Sequence, residues 1–298
     1  MKILITGVCG FVGNNLYLKL KKKNEIIGIG RKNRNYKNKY KNIIEKEITH
    51  KNLVNLNFKP NVIIHCAGSG SVTKSIQNPK IDYEKNVNTT KELIKFISEL
   101  TKKPKVIMFS TAAVYGNSCE KNKKQLKPIS PYGRNKLKSE NILLKKSKKF
   151  KFELIILRFY SIYGVGLKKQ LIWDVCEKIN NKINDFYGSG NEMRSWINIK
   201  DVNRLIQFLI KKGSISNQIL DISGNNVVKN KFLVKKLFKL LNINKVPYFN
   251  KKNKKGDPID QIFNNSILKN LGWKPKINLS NGLKEYAQWY KKNLKKQK

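Results

Sequence analysis

Two histidines and four cysteines are all that this chain of 298 residues offers as soft metal ligands or reactive thiols. Cys9, Cys66, Cys119 and Cys176 lie far apart with no C-x-x-C pair. That spacing suits neither a disulfide framework nor a zinc site, so a reduced, cytoplasmic protein without a bound metal is expected. Acidic residues are also scarce: 19 Asp and Glu stand against 63 Lys and Arg, a formal net charge of +44. An excess of this kind suggests anionic partners, nucleic acid among them. Nucleic-acid readers, however, favour Arg forks in one patch. Here Arg is rare and the lysines run from Lys2 to Lys298, with clusters at Lys21-Lys22-Lys23 and Lys251-Lys252. The charge therefore reads as solvated faces whose field helps an anionic substrate arrive, with no nucleic-acid partner. No apolar run approaches the ~20 residues that cross a bilayer, and no membrane partner is expected. Glycines at 7, 10 and 13, with no small-residue cleavage site, argue against a leader in the apolar opening stretch.

What remains is enough for a folded enzyme-sized domain. With 40% hydrophobic and 10% aromatic residues the chain can bury a proper core. Its length allows one large α/β domain, alone or carrying a smaller subdomain. Lys2-Ile-Leu-Ile-Thr6 reads as a buried strand and Phe11 to Leu20 as a helix with Phe11, Leu16 and Leu20 inward. Between them, Gly7-Val8-Cys9-Gly10-Phe11-Val12-Gly13 places glycines where a chain turns sharply and backbone N–H groups approach a pyrophosphate. In that context the G-x-x-G-x-x-G spacing is a dinucleotide-binding signal.

Glu25 to Ile29 is a second strand, ending in Gly30-Arg31-Lys32 with Arg34 close behind. An acidic residue near this point bonds the ribose 2′-hydroxyl of NAD; cations without a carboxylate suit the 2′-phosphate of NADP, so NADP is the physical lean. Further strands are expected at Asn42–Ile48, at Asn61–Gly68 with a small-residue exit at Ala67 beside the cofactor, at Lys105–Phe109, at Glu153–Phe159 and at Gln218–Ile222. Helices are expected at Ile81–Leu100, Leu167–Ile179 and Asp201–Ile210, the last with Asp201 as N-cap, and two or three more beyond residue 229. Strands alternating with helices at this spacing mean an α/β, doubly wound parallel sheet. The expected division is residues 1–165 plus about 197–224 for the dinucleotide, and 166–196 plus about 225–298 for a smaller substrate-binding subdomain.

The chemistry centres on Ser130-Pro131-Tyr132-Gly133-Arg134-Asn135-Lys136. A Tyr and a Lys four residues apart share one helix face. A phenol has an ordinary pKa of about 10, and a neighbouring ammonium favours its ionised form. Such a pair can move a proton to or from an alcohol. Cys66 reads as a small core residue, Tyr115 and Tyr163 as packing, and Trp173 as either a base-stacking or a core residue.

With these motifs in this order the chain resembles the extended short-chain dehydrogenase/reductase family of nucleotide-sugar epimerases, dehydratases and 4-ketoreductases. The resemblance rests on Gly7/Gly10/Gly13, on Ser110-Thr111-Ala112-Ala113-Val114-Tyr115-Gly116, on Tyr132 and Lys136, on Leu157-Arg158-Phe159-Tyr160-Ser161-Ile162-Tyr163-Gly164, and on Arg194-Ser195-Trp196-Ile197 with Asp201-Val202. Within the family, the stretch from His65-Cys66-Ala67-Gly68 to Asn86-Val87-Asn88-Thr89-Thr90 looks most like the UDP-galactose 4-epimerase pattern. Dehydratases carry Asp-Glu after the catalytic Thr; Ala112 and Ala113 stand there, which leaves dehydration unsupported.

The resemblance implies roles. Tyr132 exchanges the proton of the sugar's 4-hydroxyl, Thr111 fixes that oxygen, and Lys136 holds the nicotinamide ribose and lowers the Tyr132 pKa. Gly7, Gly10, Phe11, Val12, Gly13, Arg31, Glu47, Ile48, Ala67 and Asn86 bind NAD or NADP, with Glu47-Ile48 near the adenine and Asn86 on the nicotinamide side. Ser161 lines the sugar pocket where the family has Asn. Arg194, and Lys254 in place of the family's Arg, take the substrate diphosphate. The implied function is a nucleotide-sugar C4-epimerase, UDP-glucose 4-epimerase-like, acting as a homodimer in polysaccharide supply. An NADPH-dependent 4-ketoreductase is the alternative, and a non-enzymatic dinucleotide- or nucleic-acid-binding protein is the alternative of another class.

Overall fold

The computed structural model describes residues 1–33, 40–117, 125–213, 218–262 and 266–295, so Arg34 and Cys119 lie outside the described residues. In chain order the strands are β1 Lys2–Thr6, β2 Glu25–Ile29, β3 Ile43–Ile44, β4 Val62–His65, β5 Lys105–Thr111, β6 Leu154–Phe159, β7 Ser161–Tyr163, β8 Asp185–Phe186, β9 Met193–Asn198, β10 Gln218–Ile222, β11 Asn226–Lys229 and β12 Tyr248–Phe249. The helices are α1 Phe11–Leu20, α2 His50–Val54, α3 Val72–Gln77, α4 Pro79–Tyr83, α5 Thr89–Glu99, α6 Pro131–Phe150, α7 Gln170–Asn180, α8 Ile199–Lys211, α9 Asn230–Leu240, α10 Ser266–Asn270 and α11 Leu279–Lys295.

The chain forms two compact units. The first holds Met1–Gly116, Leu126–Phe159 and Asn203–Asp221; the second holds Asn117–Gln125, Tyr160–Val202 and Ile222–Lys298. Seven strands make the central sheet, in the order β10-β6-β5-β4-β1-β2-β3. The pairings from β3 through β6 are parallel. Buried on both faces, such strands carry near-continuous apolar runs, as β1 (KILIT) and β6 (LIILRF) do. Each fully buried Val, Leu or Ile contributes roughly 1.5–3 kcal/mol. Leu4, Ile63, Val106, Met108, Leu154 and Ile156 are buried in one cluster with Leu93, Ile97 and Leu143 of the helices.

The strand order reverses between β1 and β4, the position where open α/β sheets bind ligands beyond their carboxyl ends. Register aligns those ends: Thr6 lies opposite Ile29 and His65, and His65 opposite Met108. Gly7, Gly30, Cys66 and the Ser110-Thr111 end of β5 are thereby brought to one edge.

Three expected elements differ. The third strand shrinks from Asn42–Ile48 to Ile43–Ile44, because at the sheet edge only that pair finds a partner, opposite Gly28 and Ile29. The helix expected from Ile81 begins at Pro79, and its Glu84–Asn88 stretch is a π turn. Asp201 is not an N-cap: α8 starts at Ile199, and the Asp201 carboxylate instead accepts the Lys276 and Ile277 N–H groups. Asn198 Oδ1 accepts the Lys200 N–H at the start of α8.

The second unit carries β7, β9 and β11 in one small sheet and β8 with β12 in another. Trp173 packs edge-on to Tyr290 at 5.5 Å and beside Trp289, so it belongs to the α7–α11 contact. Among the described residues no helix is long and apolar enough to cross a membrane.

Candidate active site

The loop after β1 is built around three glycines, of which Gly7 and Gly13 leave no room for a side chain. Gly7 has φ +74°, and a Cβ there would lie 2.7 Å from backbone atoms of Ala67. At Gly13 a Cβ would meet the Gly7 carbonyl oxygen and sit 2.7 Å from Val8 Cα. The Gly10 N–H donates to the Gly7 carbonyl at 3.0 Å, closing the turn. Gly10 is the N-cap of α1, no side chain caps that end, and its first turn holds no acid. A helix N-terminus with that composition suits a pyrophosphate. Phe11 is buried under the loop, and Val12 is half-buried. Gly30, at the end of β2, lies against the same loop, its Cβ position 3.3 Å from Gly7 Cα. Arg31 pairs with Glu47 at 3.8 Å, both exposed, and Ile48 follows. The cation that argued for a 2′-phosphate thus has a carboxylate beside it.

The proton-transfer group is assembled from β5 and α6. Ser130 caps α6 by accepting the Gly133 N–H at 3.1 Å, and Pro131 stands in the first turn. The Tyr132 N–H donates to Ser75 Oγ at 3.1 Å. Gly133 lets this end approach the Ala112–Tyr115 turn; a Cβ there would sit 2.6 Å from the Ala113 carbonyl oxygen. Thr111 Oγ1 accepts the Ala113 N–H at 3.2 Å and lies within hydrogen-bonding reach of the Tyr132 hydroxyl. Tyr132 keeps part of its surface exposed, but its hydroxyl lies among buried groups. That desolvation, with the Asp82 charge, outweighs the Thr111 hydrogen bond and pushes the phenol up to about 12.

The expected lowering of the Tyr132 pKa by Lys136 is therefore overturned for these residues alone. Lys136 is 5% exposed, donates to the Phe109 carbonyl at 2.6 Å, and is itself pushed down to about 8 by burial. For Lys136 dryness outweighs the neighbouring carboxylates; for Tyr132 dryness and the Asp82 charge act in the same direction.

Lys136 and Asn86 converge on Gly68. A Cβ there would collide with Asn86 Oδ1 and sit 3.8 Å from Lys136 Nζ. Asn86 lies in the π turn, a distortion often found at functional sites. Its Nδ2 donates to the Asp82 carbonyl at 3.0 Å, whereas its buried Oδ1 has no partner. A buried amide oxygen without a partner is costly, and a bound ligand would satisfy it. The glycine cradle, the uncapped helix end and this orphaned acceptor fit a nicotinamide dinucleotide.

Two positions escaped sequence reasoning. His65 joins Thr6 Oγ1 at 2.7 Å and Thr90 Oγ1 at 3.1 Å, all three buried. Thr90 gives its only proton to the Asn86 carbonyl at 2.7 Å, so it must accept from His65 Nε2, and His65 Nδ1 must accept from Thr6. Burial, then the Lys136 charge, push this imidazole down to about 3 and keep it neutral. The epimerase-like stretch includes it but assigned it no role, since a lone His in a strand reads as core. Glu140 is the second: it accepts from Ser110 Oγ and forms a two-pronged pair with Arg158 (2.6 and 3.1 Å). Its spacing of four from Lys136 was the signal available.

Tyr115 is a structural member, as expected. It accepts from Arg158 at 2.8 Å and donates to Asp221 at 3.0 Å. Burial pushes the Cys66 thiol up, which disfavours the thiolate.

The remaining candidates belong to the second unit. Arg194 donates to the carbonyls of Met193, Pro258 and Ile259. Lys254 opens the turn closed by the Asp257 N–H at 3.1 Å and lies 4.9 Å over the Tyr187 ring. Arg194 and Lys254 both act electrostatically on Asp257, which burial pushes up. Ser161 opens β7, opposite Trp196.

Comparison with known proteins bears on the fold and the family. The chain is 26% identical to a putative UDP-glucose 4-epimerase of Methanocaldococcus jannaschii, over 98% of this chain and 99% of that one. Its fold matches the UDP-glucose 4-epimerase of Thermotoga maritima solved with UDP-glucose, with TM-score 0.90, 24% identity, and 99% and 100% of the two chains covered. It also matches the UDP-glucuronic acid 4-epimerase of Bacillus cereus solved with UDP-glucuronic acid and NAD, with TM-score 0.88, 23% identity, and 98% and 100% covered. The model of the NAD-dependent epimerase/dehydratase family matches residues 3–222, and the chain belongs to that family.

Proposed function

We propose that this enzyme is an NAD-dependent nucleotide-sugar C4-epimerase. The observation that carries the reading is the Thr111–Tyr132 hydrogen bond beside Lys136, at the strand edge that also holds the glycine cradle and the unpartnered Asn86 oxygen. Gly7, Gly10, Phe11, Val12 and Gly13 hold the pyrophosphate. Glu47 and Ile48 lie toward the adenosine, with Ala67, Asn86 and Lys136 at the nicotinamide end. Bound there, the cofactor supplies a two-electron acceptor and donor of hydride.

The chain's own residues handle the proton and the position. Tyr132 Oη takes the proton from the sugar's 4-hydroxyl and returns it after the 4-keto sugar has turned. Thr111 Oγ1 stabilises the tyrosyl oxygen while the proton is away, and Lys136 contributes the positive charge. Ala112 and Ala113 provide no carboxylate for removing a C5 proton, so the chemistry stops at C4. Arg194, Lys254 and Ser161 take the substrate's diphosphate and sugar, giving the first unit the dinucleotide and the second the nucleotide sugar. Lys254 is a point charge where an Arg would be a fork, so it binds phosphate less directionally. A homodimer in a reducing cytoplasm, supplying polysaccharide synthesis, completes the proposal. Cys9, Cys66 and Cys176 form no disulfide among the described residues, in keeping with that setting, and sedimentation tests the assembly.

The Arg31–Glu47 pair supports NAD over NADP, because a 2′-phosphate would have to displace or face that carboxylate. The test is to denature the purified protein, identify the released dinucleotide, and follow C4 inversion of UDP-glucose, UDP-glucuronate and UDP-N-acetylglucosamine. Retained NAD with inversion supports the epimerase. An empty protein that prefers NADPH and reduces a 4-keto-6-deoxy nucleotide sugar replaces it with the 4-ketoreductase.

A further inference from the structure

Tyr132 is held through its backbone by a residue that the proposed reaction does not use. The backbone N–H groups that open α6 each have a partner. Pro131 has no N–H, the Gly133 N–H goes to Ser130 Oγ at 3.1 Å, and the Arg134 N–H goes to the Ser130 carbonyl at 3.0 Å. The Tyr132 N–H turns instead to another element, donating to Ser75 Oγ of α3 at 3.1 Å. Ser75 is wholly buried, and its one proton goes to the Val72 carbonyl at 2.6 Å, so toward Tyr132 its oxygen is an acceptor. We propose that Ser75 is a positioning residue of the site: its hydroxyl fixes the backbone of Tyr132 and thereby the place of the phenol beside Thr111. The inference rests on the epimerase reading only for its effect on turnover; the hydrogen bonds of Tyr132 are measurable without it.

Ser75 is the first link of a polar seam. Tyr132, Asn135 and Ser139 follow one another at intervals of three and four, which places them on one stripe of α6. Their partners run along the segment that ends in the π turn. The Tyr132 N–H meets Ser75, Asn135 Nδ2 donates to Asp82 Oδ2 at 2.9 Å, and Ser139 Oγ donates to the Asn86 carbonyl at 3.2 Å. Gly68, with φ +143°, starts that segment next to Asn86 and Lys136. The seam therefore joins the nicotinamide end of the cradle to α6 at three points, and the Ser75 link is the one made to Tyr132 itself. The first turn of α6 is also pressed against Ala113 through Gly133. Ser75 and Ala113 thus grip it from two elements, while the Asp82 and Ser139 links hold later turns.

The test reads Tyr132 in the full-length protein. With tyrosine labelled at the backbone nitrogen and at Cζ, the two resonances lost in Tyr132→Phe identify it. The amide reports the bond to Ser75, and Cζ reports the bond of the hydroxyl to Thr111. Ser75→Ala should speed exchange of the amide proton roughly tenfold, the effect of one lost hydrogen bond, and should move the Cζ resonance. Ser75→Thr keeps an oxygen that a helical Thr directs at the same carbonyl, so it should restore both. Ser75→Cys keeps the shape with a weaker acceptor and covers the case in which the alanine variant does not fold. Ser147→Ala is the comparison: Ser147 is a buried serine of the same helix that donates to the Leu144 carbonyl, and its loss should lower stability without moving either resonance.

In turnover, Ser75→Ala should lower kcat for C4 inversion about 10–100-fold, the scale set by a displaced reacting group, with KM for the nucleotide sugar changed by no more than about twofold. An unmoved Cζ resonance in the folded variant, or a kcat loss no larger than that of Ser147→Ala, overturns the inference and leaves the epimerase reading intact. A wild-type protein that inverts no nucleotide sugar at C4 overturns the reading, while the amide and Cζ resonances still decide the inference.

Discussion

His65 links the stability of the first unit to the geometry of its site, and the size of that link follows from the hydrogen bonds around it. Its imidazole is 1% exposed, accepts from Thr6 and donates to Thr90, and is held neutral down to about pH 3. In the unfolded chain the same group takes up a proton near 6.5. Between those values the unfolded state binds the extra proton and the folded state does not, so stability falls as pH falls. The slope from this group is ~1.4 kcal/mol per pH unit over most of that range, amounting to about 2 kcal/mol by pH 5 and about 4 kcal/mol by pH 3. His65→Gln provides an amide that can accept from Thr6 and donate to Thr90 but never titrates. Guanidinium denaturation at pH 7 and pH 5 should therefore show the wild type losing about 2 kcal/mol more than the variant. Equal losses would refute the reasoning, because they would mean that the imidazole is already protonated or hydrated in the folded protein.

Three further outcomes follow from the geometry. Tyr132→Phe removes only the proton-transfer oxygen, so turnover should fall by about 10²–10⁴-fold while the NAD dissociation constant, read by fluorescence, stays nearly unchanged. Gly13→Ala forces a methyl against the Gly7 carbonyl and Val8 Cα; it should cost ~1–3 kcal/mol in denaturation and weaken dinucleotide binding far more than it weakens nucleotide-sugar binding. Glu47→Gln frees Arg31 from an exposed pair worth at most ~1 kcal/mol, so in competition binding NADP should gain on NAD by up to about fivefold.

The fold and the outline of the site were readable because both rest on local patterns. Continuous apolar runs announced β1, β4, β5 and β6, and α1 lies over the residues its periodicity indicated. The glycine loop and the Tyr132/Lys136 spacing were visible because short-range sterics dictate them. The missed features depend on contacts distant in sequence. Thr6 and His65 meet across 59 residues, and Ser110 and Glu140 across 30. The π turn at Glu84–Asn88 was hidden because its residues continue a helical pattern on both sides. Asp201 was misjudged because an acid at a helix start usually caps it, whereas here the N–H groups of Lys276 and Ile277 compete for the carboxylate. The pKa of Tyr132 went the other way because helix spacing indicates proximity but not dryness.

That dryness constrains how the proposed reaction proceeds. With its phenol pushed up to about 12, Tyr132 holds phenolate in only ~10⁻⁵ of molecules at pH 7, so no ready-made base waits for the substrate. Thr111 lies within hydrogen-bonding reach of the tyrosyl oxygen, and Lys136 retains its charge at pH 7 in most molecules, since its own value lies near 8. Neither lowers the resting phenol enough, so removal of the 4-hydroxyl proton should be concerted with departure of the C4 hydrogen as hydride. A concerted step carries both isotope effects at once. Deuterium at C4 and heavy water should each slow kcat/KM, and the solvent effect should be undiminished when the C4-deuterated nucleotide sugar is used. A solvent effect that shrinks on C4 deuteration would place proton removal in a separate step. It would show that ligand binding lowers the Tyr132 pKa well below the value its own surroundings set.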